Sequence, residues 1–445
     1  MSQPADIDVA FETPGPAATP LPRLIAAILT SNVGALIALL TPLQLLLTLH
    51  LTTIAGTSAA AAFGLVTGLG ALFALVANPL AGRISDRTAA RFGRRRTWIL
   101  TGGIAGSLVV FALGFTTEVW QVAVVWCLTQ TMFNFQQAAT SALLADQVPP
   151  LRRGTVSGFV GLAAALGPLL GLTAVSAIGD PLTQWAVIAV IALVLAVVAV
   201  LLLRDPQHRR EPGQAGLGLA ELAKSFWLNP WRHPAFGWAW AVRFLITCAY
   251  ASGTYNAFFL IQRFGVAPKD VAGTVLGLSL LSVALLAVTS VVAGLVSDRL
   301  RRQKPFVIAA GLLAALGLAG MAFAPSIGFV FAATALIGVG TGLFFSIDSA
   351  MCVRVLPSSE NAGKDFAIIN MANTLPQSFV PFVAPFLLAL GGFTALYLVL
   401  AVLGLVGAAF VLRLPELGRE GDPRWAVITR GEARPAAVAE PTPAA

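Results

Sequence analysis

Two residues that carry full charges, Arg243 and Asp348, each lie within a long run of apolar residues. A charge in such surroundings is expensive unless another group neutralises it, so both residues are candidates for function. We expect them to pair, because each then satisfies the other's charge. Protonation of Asp348 would weaken the pair and couple a cation to a conformational change. A permanent structural pair that acts as a gate is the alternative, and the residues leave both interpretations open.

A second set of polar residues lies on one face of a predicted helix. Within residues 119–144 the intervals are 4, 3 and 4 between Gln130, Asn134, Gln137 and Ser141. This spacing places them on one side of an α-helix. Amide groups both donate and accept hydrogen bonds, which suits a neutral solute with hydroxyl or amide groups. Hydrogen bonding between neighbouring helices, without a ligand, is the alternative.

Polar residues in three further runs complete a candidate binding site. They are Gln44 in the first run, Arg243, Thr247, Tyr250 and Thr254 in the seventh, and Asn370, Asn373 or Thr374, and Gln377 in the eleventh. We predict that the solute is bound by Gln44, Gln130, Asn134, Gln137, Tyr250, Asn373 and Gln377.

The composition places these residues in a membrane. Of 445 residues, 57% are hydrophobic and 11% are charged, and the mean hydropathy is +0.83. Soluble proteins are about 25% charged, so a soluble enzyme, a nucleic-acid-binding domain and a disordered regulator are excluded. A bilayer-spanning helix needs about 20 apolar residues. Twelve runs meet this requirement: 24–49, 58–82, 97–116, 119–144, 155–178, 182–203, 235–262, 272–295, 305–324, 327–352, 364–390 and 392–413.

The basic residues predict the orientation of these helices. Except for Arg243, Arg263 and Lys269, all 28 basic residues fall in the tails and in alternate connections. Basic residues accumulate on the cytoplasmic side of a membrane, so both termini are predicted to be cytoplasmic. The net charge of +8 is therefore explained by basic residues on the cytoplasmic side of the membrane. We expect no nucleic-acid partner.

The pattern divides the chain into five regions. Residues 1–22 are acidic and rich in proline, unlike a signal peptide, so the first span is predicted to be retained. The predicted regions are a disordered cytoplasmic tail (1–22), an N-terminal six-helix bundle (23–203), a central cytoplasmic loop (204–233), a C-terminal six-helix bundle (234–413) and a second disordered cytoplasmic tail (414–445).

The two halves repeat a short motif. Gly82-Arg-Ile-Ser-Asp86-Arg87 follows the second run, and Gly294-Leu-Val-Ser-Asp298-Arg299 follows the eighth, 212 residues later. The ends of the fourth and tenth runs correspond at an offset of 208. This repeat, with twelve runs and a long central loop, resembles the major facilitator superfamily and its loop signature between spans two and three.

That resemblance implies an all-α membrane protein with 12 transmembrane helices in two pseudo-symmetric six-helix bundles. It also implies transport by alternating access around a central cavity. A conformational role is expected for the motif residues, which are Gly82, Asp86, Arg87, Gly93, Arg94, Gly294, Asp298 and Arg299. The arginine-rich loop is also expected to contact anionic lipid headgroups.

The extended first motif, from Ser85-Asp86-Arg87 to Gly93-Arg94-Arg95-Arg96, resembles the glycoside–cation symporters, including sucrose symporters. Those symporters carry an acidic residue and an arginine in span four, where this chain has Gln130 and Ser141. A competing resemblance lies in span five, where the segment from Gly158 to Gly171 is similar to a motif of drug antiporters.

We therefore predict a secondary transporter and no enzyme. The favoured activity is cation-coupled symport of a small neutral polar solute, such as a sugar or glycoside. The alternative is a proton-driven efflux antiporter for amphipathic compounds. We expect no cofactor and no metal site, a proton or sodium as the coupling ion, a membrane-lipid environment, and a monomer in a bacterial cell membrane.

Overall fold

The computed structural model describes residues 19–149, 152–205, 233–300, 302–354 and 362–414. These residues form helices and short connections and contain no β-strand. The chain divides into two compact units, Met1–Gln214 and Ala215–Ala445. Residues 206–232 of the central loop, residues 355–361 before span eleven, residues 150–151, residue 301 and most of both tails lie outside the described residues.

The described residues of the first unit form seven α-helices. They are α1 (Leu21–Thr41), α2 (Leu47–Ala55), α3 (Ala59–Arg87), α4 (Arg94–Ala112), α5 (Val119–Asp146), α6 (Arg153–Ser176) and α7 (Pro181–Leu202). The Asp180 carboxylate caps α7 by accepting the Thr183 backbone N–H at 2.8 Å. Hydrogen bonds from Thr183 hold the pKa of Asp180 below its ordinary value.

The described residues of the second unit form six further α-helices. They are α8 (Pro234–Tyr250), α9 (Asn256–Phe264), α10 (Pro268–Leu300), α11 (Lys304–Ala322), α12 (Ile327–Arg354) and α13 (Ala362–Val411). The last stretch contains two helices, because Gly391 and Gly392 depart from helical geometry and Gly392 has φ +63°. This break lies between the eleventh and twelfth predicted runs.

The helices have the length and composition of membrane spans. Nine stretches of the described residues are long and apolar enough to cross a bilayer. One of them, Leu21–Arg87, contains two of the predicted runs, and another, Met371–Val411, covers most of two others. Helix α5 is not among the nine, because its polar residues lower its hydropathy. The protein is therefore an all-α, multi-pass membrane protein.

Two spans contain breaks at corresponding places. The first span passes from α1 to α2 through a π-helical segment, Pro42–Leu46, and the seventh passes from α8 to α9 through a 3₁₀ segment, Ala251–Tyr255. Pro42 explains the first break, since proline cannot continue the hydrogen-bond ladder. The second break corrects one prediction: Thr254 lies beyond the end of α8 and does not continue the helical face of Arg243 and Thr247.

Small residues allow the helices to pack closely. A Cβ atom added at Gly342 on α12 would lie 2.7 Å from the Leu286 carbonyl oxygen on α10, and it would also meet the Thr289 hydroxyl. A backbone carbonyl this close could move away only if its whole helix moved. The absence of a side chain at Gly342 therefore sets the separation of α10 and α12.

We predict that Gly342→Ala lowers the free energy of unfolding by about 1–3 kcal/mol, because it overpacks this contact. Thermal unfolding followed by tryptophan fluorescence in detergent measures the change. Gly273→Ala on α10 is the matched control, because a Cβ there meets no atom within 4 Å. Equal effects of the two substitutions would contradict the assignment of a tight contact to Gly342.

Candidate functional site

A buried arginine joins three helix ends in the first unit. Arg95, at the start of α4, is 3% exposed. Its Nη2 lies 2.5 Å from Asp86 on α3, and its Nε lies 2.8 Å from Asp146 on α5. Nη1 donates to the Ser85 hydroxyl at 2.9 Å. Hydrogen bonds to charged groups are stronger than neutral ones, so this side chain ties α3, α4 and α5 together.

A carboxylate beyond α7 holds the backbone around that arginine. Asp205 Oδ2 accepts the N–H groups of Arg95 and Arg96 at 2.6 and 3.1 Å. These N–H groups lie in the first turn of α4, where they have no hydrogen-bond acceptor within the helix. The N-terminal end of a helix also carries partial positive charge, so it favours an anion such as the Asp205 carboxylate. Gly93 precedes the turn with φ +92°, and a Cβ there would collide with the Asp205 side chain. Glycine is therefore required at 93 for both its conformation and its size.

The sequence analysis predicted a conformational role for other residues of the motif. Arg94 does reach Asp146 at 3.0 Å, but Arg87 is exposed, and a Cβ at Gly82 would meet nothing within 4 Å. The roles of Arg95 and Asp205 were missed. The sequence spacing does not distinguish Arg95 from the neighbouring arginines. Asp205 could have been found, because an acidic residue just after a predicted span can cap the first turn of a neighbouring helix.

The second unit carries the repeated motif at the end of α10. A Cβ at Gly294 would approach the Ser346 hydroxyl at 3.1 Å, and Arg299 is exposed. The side chain of Asp298 lies outside the described part of the structure.

The predicted polar face of α5 contains one engaged amide and two half-buried ones. Asn134 is 7% exposed and donates to the Gln130 carbonyl at 2.7 Å. Its Oδ1 accepts from Asn78 on α3 at 3.3 Å. Gln130 and Gln137 are half-buried, whereas Ser141 is exposed. Asn134 therefore contributes to the packing of α3 on α5, and the two glutamines remain the candidates for solute contact on this helix.

A buried polar cluster on α1 and α5 was not predicted. The hydroxyl groups of Ser31 and Thr140 lie 2.7 Å apart. Gln136 Nε2 donates to the carbonyl and hydroxyl oxygens of Ser31 at 3.1 and 3.2 Å. All three residues are at most 1% exposed. Gln136 was missed because it lies outside the 4, 3, 4 series that was read as the polar face.

The two charges inside the apolar runs meet in the second unit. Arg243 Nη2 on α8 lies 3.1 Å from Asp348 Oδ2 on α12, and the side chains are 7% and 0% exposed. The pairing expected from the sequence is therefore present.

The remaining predicted residues of the second unit have different surroundings. The Tyr250 hydroxyl donates to the Ala310 carbonyl at 3.2 Å, so it helps to pack α8 on α11. Asn373 is half-buried and its Oδ1 has no hydrogen-bond partner within the described residues, while Gln377 is exposed. The hydroxyl of buried Thr247 is likewise without a described partner. In the first unit, Gln44 lies half-buried in the π-helical segment.

Metal ligands are not grouped in the described residues: no three His, Cys, Asp or Glu side chains lie close enough together to hold an ion. Cys127 and Cys248 are buried free thiols.

Comparison with known proteins identifies a family. The family profile described as Major Facilitator Superfamily matches residues 24–289 and 267–439. One relative, "Multidrug resistance protein MdtG" of Proteus mirabilis, is 30% identical over 22% of this chain and 23% of its own length. Another, "Sucrose transport protein SUC3" of Arabidopsis thaliana, is 29% identical over 34% of this chain and 29% of its own length. The matched segment thus spans less than a third of each relative.

A solved structure extends the comparison to the whole fold. The chain is similar to the crystal structure of a D-xylose-proton symporter, with a TM-score of 0.62 and 17% identity. The match covers 90% of this chain and 98% of the symporter chain. At this level of identity the likeness concerns the fold.

We predict that Arg95→Ala lowers the free energy of unfolding by about 2–3 kcal/mol, because it removes the hydrogen bonds that the buried guanidinium makes to the carboxylates of Asp86 and Asp146. The apparent unfolding temperature in detergent measures the loss. Arg87→Ala removes an exposed arginine from the same motif and is expected to change stability by less than about 0.5 kcal/mol. If Arg87→Ala were as damaging as Arg95→Ala, Arg95 would not be the tie between the helices.

Proposed function

Because this chain belongs to the Major Facilitator Superfamily, we propose that it carries a small neutral polar solute, a sugar or glycoside, across the membrane by proton-coupled symport. It is a transporter of a small molecule and not an enzyme. The solute class and the coupling ion are the proposal.

The observation that carries the solute class is the chemistry of α5. Gln130 and Gln137 are uncharged and half-buried. They lie in a helix whose polar residues keep its mean hydropathy below that of the other predicted spans. Amides inside a membrane protein need hydrogen-bond partners, and the hydroxyl groups of a sugar both donate and accept. The partial likeness to a sucrose transport protein supports the same class.

The coupling part of the proposal rests on Asp348. This carboxylate has no solvent exposure and lies against Arg243. A proton that binds Asp348 cancels its charge and weakens the attraction to Arg243, which changes the relative free energies of two conformations. The likeness in fold to a D-xylose-proton symporter is consistent with a proton as the ion.

The Arg95 cluster suits the expected motion of this fold. We propose that it keeps the ends of α3, α4 and α5 together as one body while the protein changes conformation. The proposal includes cytoplasmic termini, a monomer in a bacterial cell membrane, and contact of the arginine-rich loop with anionic lipid.

Efflux of amphipathic compounds is the second candidate, and one observation favours it. Trp240 and Phe244 on α8 are stacked with ring centroids 5.4 Å apart, and Phe379 follows at 5.6 Å and is 44% exposed. An accessible row of aromatic rings binds apolar or cationic compounds. The partial likeness to a multidrug resistance protein agrees with this alternative.

We predict that the purified protein in liposomes containing a pH-sensitive dye acidifies the interior when sucrose or D-xylose is added outside. Ethidium is the probe for the alternative. Acidification with a sugar and none with ethidium supports symport of a neutral polar solute. A proton signal with ethidium and none with either sugar would contradict sugar symport and support efflux of amphipathic compounds.

We predict that Gln137→Ala reduces uptake of the responding sugar about tenfold, because an unpaired hydroxyl or amide is costly to bury. Initial rates with radiolabelled sugar measure the change. Thr173→Ala, at an exposed position of α6, is expected to transport like the wild type. Normal uptake by Gln137→Ala would place the solute away from this face of α5.

A further inference from the structure

The Gly-Pro segment of span five packs against span one. Gly167 and Gly171 lie one turn apart on α6 and are both buried. A Cβ atom added at Gly167 would lie 2.7 Å from the Leu36 Cβ, and one added at Gly171 would collide with the Thr41 hydroxyl. Small residues let two helix backbones approach closely. The segment that resembles a motif of drug antiporters therefore packs on the last turns of α1, and we call this packing of Gly167 and Gly171 the glycine contact.

The glycine contact ends where span one stops being an α-helix. Thr41 is the last residue of α1, and the π-helical segment Pro42–Leu46 follows directly. Pro42 has no N–H to donate to the Ala38 carbonyl, which favours a break at this point. A π-helical turn contains one extra residue, so it rotates the side chains that follow by about 100° relative to a continuous α-helix. Such turns are frequent at functional sites.

Gln44, a predicted solute ligand, lies in the middle of this π-helical segment. Its side chain is half-buried, whereas Leu45 and Leu46 after it are buried. It is also the polar residue of the segment, whose sequence is Pro-Leu-Gln-Leu-Leu. The direction in which the segment leaves the end of α1 therefore decides where the Gln44 amide lies.

Thr41, which joins the glycine contact to this segment, is held by its shape and not by a hydrogen bond. Other helical threonines of the unit, such as Thr30 and Thr67, donate to the carbonyl four residues earlier. The Thr41 hydroxyl is fully buried, has no hydrogen-bond partner within the described residues, and is turned toward Gly171. A buried hydroxyl without a partner is costly, so close packing must hold it there. The absence of a side chain at Gly171 thus sets the position of the last turn of α1.

The second half of the chain lacks this close contact. The first spans of the two halves correspond at an offset of 212, with Pro22 and Pro234 in the first turns of α1 and α8. Span eleven, the counterpart of span five, contains no glycine within residues 364–390. Span seven meets it through a large side chain instead, because the Tyr255 hydroxyl donates to the Pro381 carbonyl at 3.2 Å. The glycine contact is therefore a special property of the half that contains Gln44.

We propose that Gly171 is a positioning residue for transport: through Thr41 it holds the π-helical segment in the direction that presents Gln44 to the solute. This inference rests on the proposed function, because it takes Gln44 as a solute ligand. A ligand displaced by about 1 Å binds much less well. The Gly-Pro segment then serves solute binding, whichever way the solute is carried.

Two single substitutions and their combination test the contact. Gly171→Ala pushes against Thr41 and is expected to raise the KM for the responding sugar about tenfold, with the maximal rate changed less than about threefold. Thr41→Ala leaves a gap, and the expected rise is about fivefold. In the double variant the new Cβ would lie 3.0 Å from the Thr41 Cβ and fill that gap. Its KM is expected to return to within about twofold of the wild type.

Unfolding temperatures in detergent separate positioning from packing. Gly161→Ala is the matched control on α6, because a Cβ there meets nothing within 4 Å, and it is expected to leave both KM and unfolding temperature unchanged. A lower unfolding temperature of Gly171→Ala with an unchanged KM would show packing alone and overturn the proposal. If Gly171→Ala does not fold, Thr41→Ala and the double variant decide: recovery of KM in the double variant supports the proposal, and no recovery overturns it.

A second comparison tests whether the effect passes through Gln44. Gln44→Ala is expected to raise KM about tenfold, because the solute loses a hydrogen bond. Addition of Gly171→Ala to this variant is expected to change KM by less than about twofold, because the ligand that Gly171 positions is already absent. Effects that multiply to about a hundredfold would show that the two residues act independently, which contradicts the proposal.

The outcome stays distinct from that of the proposed function. If ethidium is transported and the sugars are not, sugar symport fails, and the same variants measured with ethidium still decide the role of Gly171. If neither probe moves, Gln44→Cys is labelled with a water-soluble methanethiosulfonate, and the rate above the wild-type background is measured. A rate that falls about fivefold when Gly171→Ala is added, and recovers when Thr41→Ala is added as well, supports the proposal. An unchanged rate overturns it.

Discussion

The structure depends on one constraint: the hydrocarbon of a bilayer offers no hydrogen bonds, so each polar group within it needs a partner in the protein. The backbone N–H and C=O groups are paired within the helices, and polar side chains inside the membrane need hydrogen-bond partners as well. Asn134 bonds to its own helix and to Asn78. Ser31 and Thr140 satisfy each other. Polar groups whose partners are not supplied by such contacts are then the natural places to look for a ligand or an ion.

The same constraint explains why the two ends of a span are built differently from its middle. Where α4 begins, water and charged residues are available, and Arg95 can bring together carboxylates from two other helices while Asp205 neutralises the first turn. Deeper in the bundle, packing depends on glycines such as Gly102, where a Cβ would lie 2.8 Å from a carbonyl oxygen of α5. Charged contacts at the helix ends and close packing in the middle hold these helices together.

Composition and periodicity predicted most of the fold, because hydrophobic runs and basic loops follow directly from the solvent. They also predicted that Arg243 and Asp348 would meet, since two buried charges have few alternatives. Local geometry could not be predicted in the same way. The 3₁₀ segment Ala251–Tyr255 contains no proline, and its one sequence signal is the Ser252-Gly253 pair, which does not by itself predict a 3₁₀ segment. Arg95 is distinguished from Arg94 only by the direction in which α4 starts. Such features arise from tertiary contacts.

Internal repetition supplies a comparison that a single sequence otherwise lacks. Two halves with one architecture place Ser31 and Arg243 at equivalent points of equivalent helices, so one half shows what packing alone requires of the other. At these points the first half has a hydrogen bond between two hydroxyl groups and the second half has a buried ion pair, so the same helix contact is made without charge in one half and with charge in the other.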